Sequence, residues 1–351
     1  MGHVDSSNLH KVEDLWYEDG TIILIAGTVA FCVHKGVLVA LSPIFRDILA
    51  LPKSPNNDTM EGRVVAHITD SGFDMTNFLR AVFRPGYKSL VRDTQQVSFP
   101  ELASILRMAH KYDVPEAVAI AVDRLSQRFC APFHTSLGRQ VDWDDVQKHL
   151  DTAHASVAFD PADAFEALNL MRRINAATGP PRFPDRALAV ALFYCCVAVE
   201  QNPRLVRSGA PRADGTVEEL SDADLERCVR GTALLRQEVY DGVSRALMAF
   251  QDGYGVFKHQ IKCPRQNGCQ EDIKIHLAYV QLTECERTWG RGSVRDVWVW
   301  VAKRQPAPGL FGAEAWQKWM CGPCKKKFEQ LLEESMVKGW DLFVANMSVS
   351  D

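Results

Sequence analysis

Near its N-terminus the chain runs Thr21-Ile22-Ile23-Leu24-Ile25, then Ala26-Gly27-Thr28, then Val29-Ala30-Phe31-Cys32-Val33. Two short runs of β-branched and apolar side chains around a glycine-containing turn fold as an antiparallel hairpin. After Val33 the apolar period changes. From His34 to Leu41, the residues Val37, Leu38 and Leu41 share one helical face. Ser42-Pro43 then supplies an N-cap and a first-turn proline for a second helix carrying Ile44, Phe45, Ile48 and Leu49. A hairpin has one face to cover, and helices of this kind cover it, so the N-terminal part is expected to be an α+β unit.

The same alternation continues. Leu51 to Asp58 reads as a loop, Val64 to Ile68 as a strand, and Met75 to Phe83 as a helix. Phe99 to Tyr112, opened by Pro100, and Pro115 to Phe129 read as two more helices. Residues 1–13 are polar and unpatterned and are expected to be a flexible tail, which leaves 14–130 as the folded unit.

Within that unit, Phe31-Cys32-Val33-His34-Lys35-Gly36-Val37-Leu38 with Ser42-Pro43-Ile44-Phe45-Arg46 after it resembles the F-x-V-H-K-x-x-L-x-x-x-S-x-x-F signature of BTB/POZ domains. Met108-Ala109-His110-Lys111-Tyr112-Asp113-Val114 is similar to the A-x-K-Y-x-V stretch of the same family. The continuation of the chain resembles the BTB/POZ proteins expanded in fungi. The resemblance implies an interaction module that pairs with itself as a homodimer or binds a protein partner, and it implies no reaction. In some relatives the BTB face binds a cullin and the protein serves as substrate adaptor of a cullin-RING ubiquitin ligase. On the residues alone, His34 is expected to be a partly buried histidine bonded to local backbone, Ser42 a helix cap, and Phe31, Val33, Leu38 and Phe45 core.

Residues 131–250 read as an α-helical region. Asp160-Pro161 starts a helix from Ala164 to Ile174, and Asp185 opens an apolar one reaching Val199. Asn202 to Val217, with two prolines and two glycines, reads as a loop. Ser221 and Asp224 form a capping box, after which Leu225, Cys228, Thr232, Leu235, Val239, Val243, Leu247 and Phe250 recur at helical steps. That stripe is expected to be internal core, as are the thiols of Cys195 and Cys196.

Half of the ten cysteines fall in the last quarter of the chain. Cys263-Pro264-Arg265-Gln266-Asn267-Gly268-Cys269 and Cys321-Gly322-Pro323-Cys324 each place two thiols on a short turn, so Cys263, Cys269, Cys321 and Cys324 are the expected ligands of a zinc ion. Zinc would staple together a small C-terminal region, residues 251–345, with His276 and Cys285 as substitute ligands. Two rival chemistries attach to this end. Twelve basic residues against nine acidic ones between Cys263 and Gly339 suggest a zinc-dependent regulator that binds nucleic acid, although three lysines at a helix start are also what a solvated face looks like. The run Trp319 to Lys325 is similar to the W-C-G-P-C-K site of thioredoxin, a thiol-disulfide oxidoreductase, but only 27 residues come after Cys324 and no later proline supplies that fold's cis bond.

Other classes are set aside by what the residues do not contain. A formal charge of −4 does not suit a protein whose main affinity is for phosphate backbones. The longest apolar run, Ala187 to Val199, is shorter than the roughly 18 to 20 residues a bilayer span needs. Met1, Gly2 and Ser6 fit a myristoylation pattern but have no polybasic second anchor, and two glycosylation sequons lack a secretory leader. The expectation is an intracellular protein, cytoplasmic or nuclear. There is no G-x-S-x-G, H-E-x-x-H, P-loop or G-x-G-x-x-G motif, and so no small-molecule substrate and no catalytic or cofactor-binding residue is assigned. The acidic pairs Asp144-Asp145 and Glu218-Glu219 are accounted for as helix starts.

Overall fold

The computed structural model describes residues 8–50, 59–83, 96–129, 157–177, 179–257, 262–265, 269 and 321–347. His276, Cys285, the expected loop of Leu51 to Asp58 and the Asp144-Asp145 pair lie outside the described residues. Two compact units are present, each made of separated pieces of chain. The first gathers residues 1–129, 152–184 and 209–219; the second takes 130–151, 185–208 and 220–351.

In the first unit the strands are β1 (His10–Trp16), β2 (Ile22–Ala26), β3 (Val29–Val33), β4 (Thr59–Met60) and β5 (Arg63–Ile68), in the sheet order β1-β3-β2-β5-β4. The expected hairpin is there, with Ala26 opposite Val29 and Ile22 opposite Val33. Gly27 takes φ +60 in the tight turn, where a side chain would be strained. A second tight turn joins β4 to β5 through Glu61 and Gly62 at φ 52 and 73, the all-positive pattern that matches strand twist. β2 runs parallel to β5 and is buried along its whole length, which explains an unbroken apolar run rather than an alternating one. Ile23, Ile25, Ala30, Cys32, Met60 and Val65 form the core cluster on one face.

β1 starts inside the stretch expected to be tail. It lies parallel to β3, and Val12 and Leu15 are buried while the polar residues between them face out. Val12, Leu15 and Trp16 fall at no strict two-residue step, which makes a weak signal, and the strand owes its place to a ready neighbour edge.

Among the described residues up to Phe129, five helices come after the hairpin: α1 (Lys35–Leu41), α2 (Pro43–Ala50), α3 (Gly72–Phe83), α4 (Phe99–Lys111) and α5 (Pro115–Arg128). Phe45, Phe78 and Tyr112 stack, with the Phe45 and Tyr112 rings 4.1 Å apart and 5° from parallel. Gly72 marks a close approach: a β-carbon there would sit 2.4 Å from Val29 Cγ2. Gly72→Ala is expected to cost about 1–3 kcal/mol through overpacking, read as a lower midpoint of urea unfolding.

The chain beyond α5 returns to this unit. β6 (Val97–Ser98) pairs in parallel with β7 (Val157–Ala158), and Phe159 presents its ring edge-on to Phe99 and Phe129 at 5.3 and 5.2 Å. Asp160 then caps a 3-10 turn, Pro161–Asp163, accepting from the Ala162 amide at 2.8 Å as the sequence suggested, and α6 (Ala164–Asn175) comes next. The expected loop of 202–217 is in fact partly ordered. It contains a one-turn helix, Leu205–Ser208, and a hairpin of β8 (Ala210–Pro211) and β9 (Val217–Glu218), with Gly209 and Gly215 at φ 65 and 84. Its glycines and prolines read as loop because such short strands carry almost no periodic signal.

The second unit is helical: α7 (Asp185–Gln201), α8 (Leu205–Ser208), α9 (Asp222–Phe257) and α10 (Gly322–Asn346). Ser221 caps α9, accepting from the Asp224 amide at 3.2 Å. α9 and α10 run antiparallel, as Phe250 meets Phe328 while Gly231 faces Phe343 and Met347. At Gly231 three helices converge, and an added β-carbon would lie 2.9 Å from Cys196 Sγ of α7. α7 is apolar nearly all round, and its Phe193 packs against Trp340 and Phe343.

Candidate functional site

In the first unit the motif residues act as scaffold. Ser42 Oγ accepts from the Phe45 amide at 3.0 Å, capping α2, and donates to the Tyr112 carbonyl. His34 sits at the N-cap of α1 against the Tyr17 ring, and its Nε2 faces the Asp19 carboxylate at 3.5 Å rather than local backbone. The Tyr112 hydroxyl donates to Asp70 at 2.5 Å, and Lys111 reaches the same carboxyl group. Burial, with the charge of Asp70, pushes the Tyr112 phenol well above its usual range. These bonds fix the α1–α2 pair, which presents Leu41, Ile44 and Ile48 to solvent, Ile48 at 41% exposure. Three large apolar side chains on adjoining helices make a sticky surface.

The second unit brings the four predicted cysteines together. The sulfurs of Cys263, Cys269, Cys321 and Cys324 all lie within 4.8 Å of one another. Cys263 comes after the end of α9, Cys321 is the N-cap of α10, and Cys324 lies buried in its first turn. Pro323 occupies an early helical position, where its missing N–H costs nothing. Amides point at the sulfurs: Cys321 N–H reaches Cys269 Sγ at 3.4 Å, and the Arg265 amide donates to Cys263. Such donors, with the positive end of α10, stabilise thiolates. Burial raises the Cys263 thiol, yet hydrogen bonds led by the Tyr254 hydroxyl outweigh it and hold the group at about 7. Cys269 and Cys324 are pushed up, chiefly by burial.

The distances suit one particular occupant. Zinc–sulfur bonds of about 2.3 Å put the corners of a regular tetrahedron about 3.8 Å apart. The Cys263 and Cys321 sulfurs stand 3.6 Å apart. The donor set is soft, four sulfurs and no oxygen, which fits a thiophilic ion and not magnesium or calcium. Four protein ligands would also leave no open position for a substrate. A dithiol at a helix start is what the thioredoxin likeness rests on, but here Cys263 and Cys269 complete a four-sulfur cluster.

Cys195 and Cys196 are buried in α7 as expected, and Cys228 of α9 contacts both. Burial and the Cys228 contact push Cys195 well up, and the same contact together with burial does so for Cys196. Neutral thiols in a dry core are poor nucleophiles.

Two features have no counterpart among the sequence expectations. One is Tyr254, buried one turn beyond Phe250 on α9, whose hydroxyl bonds Cys263. The step from Phe250 continues the helical stripe and is the only signal the sequence carries for it. The other is a buried ionic cluster in the first unit. Arg107 of α4 pairs with Asp74 of α3 at 2.5 Å and also with Glu166 of α6. Arg212, from the β8–β9 hairpin, stands 3.4 Å from both Asp74 and Glu166 and 3.1 Å from Asp214. Glu218 lies 3.9 Å from Arg212 and accepts from Asn169 at 2.9 Å, so it belongs to a strand and this cluster and not to a helix start. Burial lifts Glu166 to about 7, the two arginines opposing and Glu218 and Asp74 reinforcing the shift. Asp214 is held low by Thr216 and Arg212 against the opposite pull of burial.

No helix among the described residues is long and apolar enough to cross a membrane. No curated protein and no solved structure gives a significant match to the chain. A family model for the BTB/POZ domain matches residues 17–128. The matched span takes in the sheet from β2 onward and the helices through α5, including the His34, Ser42 and Tyr112 positions that hold the α1–α2 face in place. This chain therefore carries an N-terminal BTB/POZ domain, joined to a helical unit that holds a four-cysteine cluster.

Proposed function

We propose that the protein is a non-enzymatic interaction protein that pairs with a second copy of itself through the α1–α2 face, and that its four cysteines hold one structural zinc ion. The observation that carries the first half is the exposure of Leu41, Ile44 and Ile48 on the α1–α2 helices of a BTB/POZ domain, a family that associates with proteins. Burying these side chains against its own copy needs no second gene product and gives a closed two-fold pair. Zinc, when bound, supplies binding free energy and no reaction. The cysteines hold it, and the amides and Tyr254 orient the cysteines.

Native mass spectrometry of the full chain tests both halves in one measurement. The expected spectrum shows a dimer with one zinc per subunit, stripped by a chelator. The double variant Ile44→Glu with Ile48→Glu is expected to run as a monomer that keeps its zinc and its circular dichroism. Wild-type protein that stays monomeric at tens of micromolar sinks the self-association, and a partner such as a cullin becomes the alternative. Protein with reduced thiols and no metal sinks the zinc assignment.

A further inference from the structure

The four clustered cysteines are not equally placed. Cys269 and Cys324 are fully buried, whereas Cys263 and Cys321 are part-exposed. The two part-exposed sulfurs are also direct neighbours, 3.6 Å apart. Oxidation of thiolates follows exposure, so a small oxidant arriving from solvent meets these two before the pair behind them. The rival dithiol, Cys321 with Cys324 at one helix start, has its second sulfur in a residue of 0% exposure. Cys263 lies beyond the end of α9 and Cys321 is the N-cap of α10, so neither is held inside a helix. Side-chain rotation at such positions can close the gap of about 1.5 Å that separates them from disulfide bonding distance.

We infer that Cys263 and Cys321 are a peroxide-reactive pair, which oxidation joins as a disulfide with release of the zinc. The inference rests on the four cysteines being a zinc site. Zinc-bound cysteines are already thiolates. One of the two sulfurs attacks hydrogen peroxide, the O–O bond breaks, and a sulfenic acid and hydroxide result. The second thiolate attacks that sulfur and expels another hydroxide as the S–S bond forms. Two protons from solvent convert the hydroxides to water, so the pair loses two electrons and the peroxide gains them. Two zinc–sulfur bonds are lost. Cys269 and Cys324 alone cannot close a tetrahedral shell, and they give up the ion with its charge unchanged. The new bond still ties the segment after α9 to the start of α10, so a covalent staple replaces a metal one and the helix pair stays shut.

The experiment adds hydrogen peroxide to the full zinc-loaded chain and follows it by native mass spectrometry, with samples alkylated and mapped as tryptic peptides by tandem mass spectrometry. The expected first product has lost one zinc per chain and carries one disulfide, Cys263-Pro264-Arg265 joined to the peptide of residues 319–325 through Cys321, with Cys269 and Cys324 alkylated. Cys195, Cys196 and Cys228, buried in the helical unit, are expected to stay reduced. Amide exchange at residues 322–330 is expected to remain as slow as in the zinc-loaded chain. A first bond at Cys269 or Cys324, or zinc loss with no disulfide, overturns the pair. Zinc and thiols both retained under peroxide that oxidises free cysteine overturn the reactivity. Protein that carries no zinc before peroxide is added overturns the metal reading itself, a failure told apart from the others because it precedes oxidation.

Discussion

If the four cysteines hold zinc as proposed, a Cys324→Ser variant is expected to bind no zinc and to loosen the paired ends of α9 and α10. Cys324 is fully buried in the first turn of α10, so a serine hydroxyl there replaces a thiolate ligand with a weak one and leaves the other three sulfurs with an incomplete shell. Structural zinc contributes on the order of 10–16 kcal/mol of apparent binding free energy in small zinc-dependent folds. The expected result is metal content near zero, with faster amide exchange confined to residues 250–257 and 322–330. The far ends of the same helices, where Gly231 meets Phe343 and Cys196, are expected to stay protected, because aromatic packing and not metal holds them. A variant that keeps stoichiometric zinc, or one that exchanges at the wild-type rate near the cluster, would remove the staple from the account.

The second large effect is expected at Arg107. Its guanidinium is nearly buried between Asp74 and Glu166, and Arg107→Met would strand two carboxylates with only Arg212 left among the cations described there. Breaking a buried pair by deleting one partner destabilises by roughly 3–5 kcal/mol. Urea unfolding of the first unit at pH 7.5 reads the loss, and a wild-type midpoint would show the cluster to be energetically idle. The pH dependence has a definite sign. Glu166 titrates at about 7 in the fold against an ordinary 4.5, so between those values the folded chain holds a proton the unfolded chain has released. Stability is therefore highest at about pH 4.5 and below as far as this group goes, and falls as pH rises to 7, by up to about 3 kcal/mol. Glu166→Gln, which fixes the neutral form, should flatten that slope. A slope unchanged in the variant would assign it to another group.

What could be read from the sequence, and what could not, divides along physical lines. The Gly27 turn and the Ser42, Asp160 and Ser221 caps are local contracts between residues two to four apart, and each is met in the structure. The four cysteines were legible because a thiol pair on a short turn has few other uses, even with the pairs more than fifty residues apart. Asp74, Arg107, Glu166 and Arg212 were not legible. Each is a charged residue on an element whose partner is far along the chain, and a charge looks solvent-exposed until its counter-ions are located. His34 is partly buried as expected, but its ring faces Asp19 and not local backbone, and Asp19 belongs to a turn that carries no pattern.

The interleaving of the two units has a consequence for how the protein is made. The hairpin that delivers Arg212 leaves the ribosome after α7, although α7 belongs to the other unit. Until that hairpin arrives, Arg107 is the one cation among the described residues that Asp74 and Glu166 share. α7 in turn waits longer still, since Trp340 and Phe343, which cover Phe193, are synthesised only after the whole of α9. An all-round apolar helix left uncovered through so much of translation is a natural client for a chaperone that holds nascent chains. Premature termination anywhere between α7 and α10 would then yield a product with an intact sheet and a persistently exposed greasy rod, suited to rapid clearance by quality control.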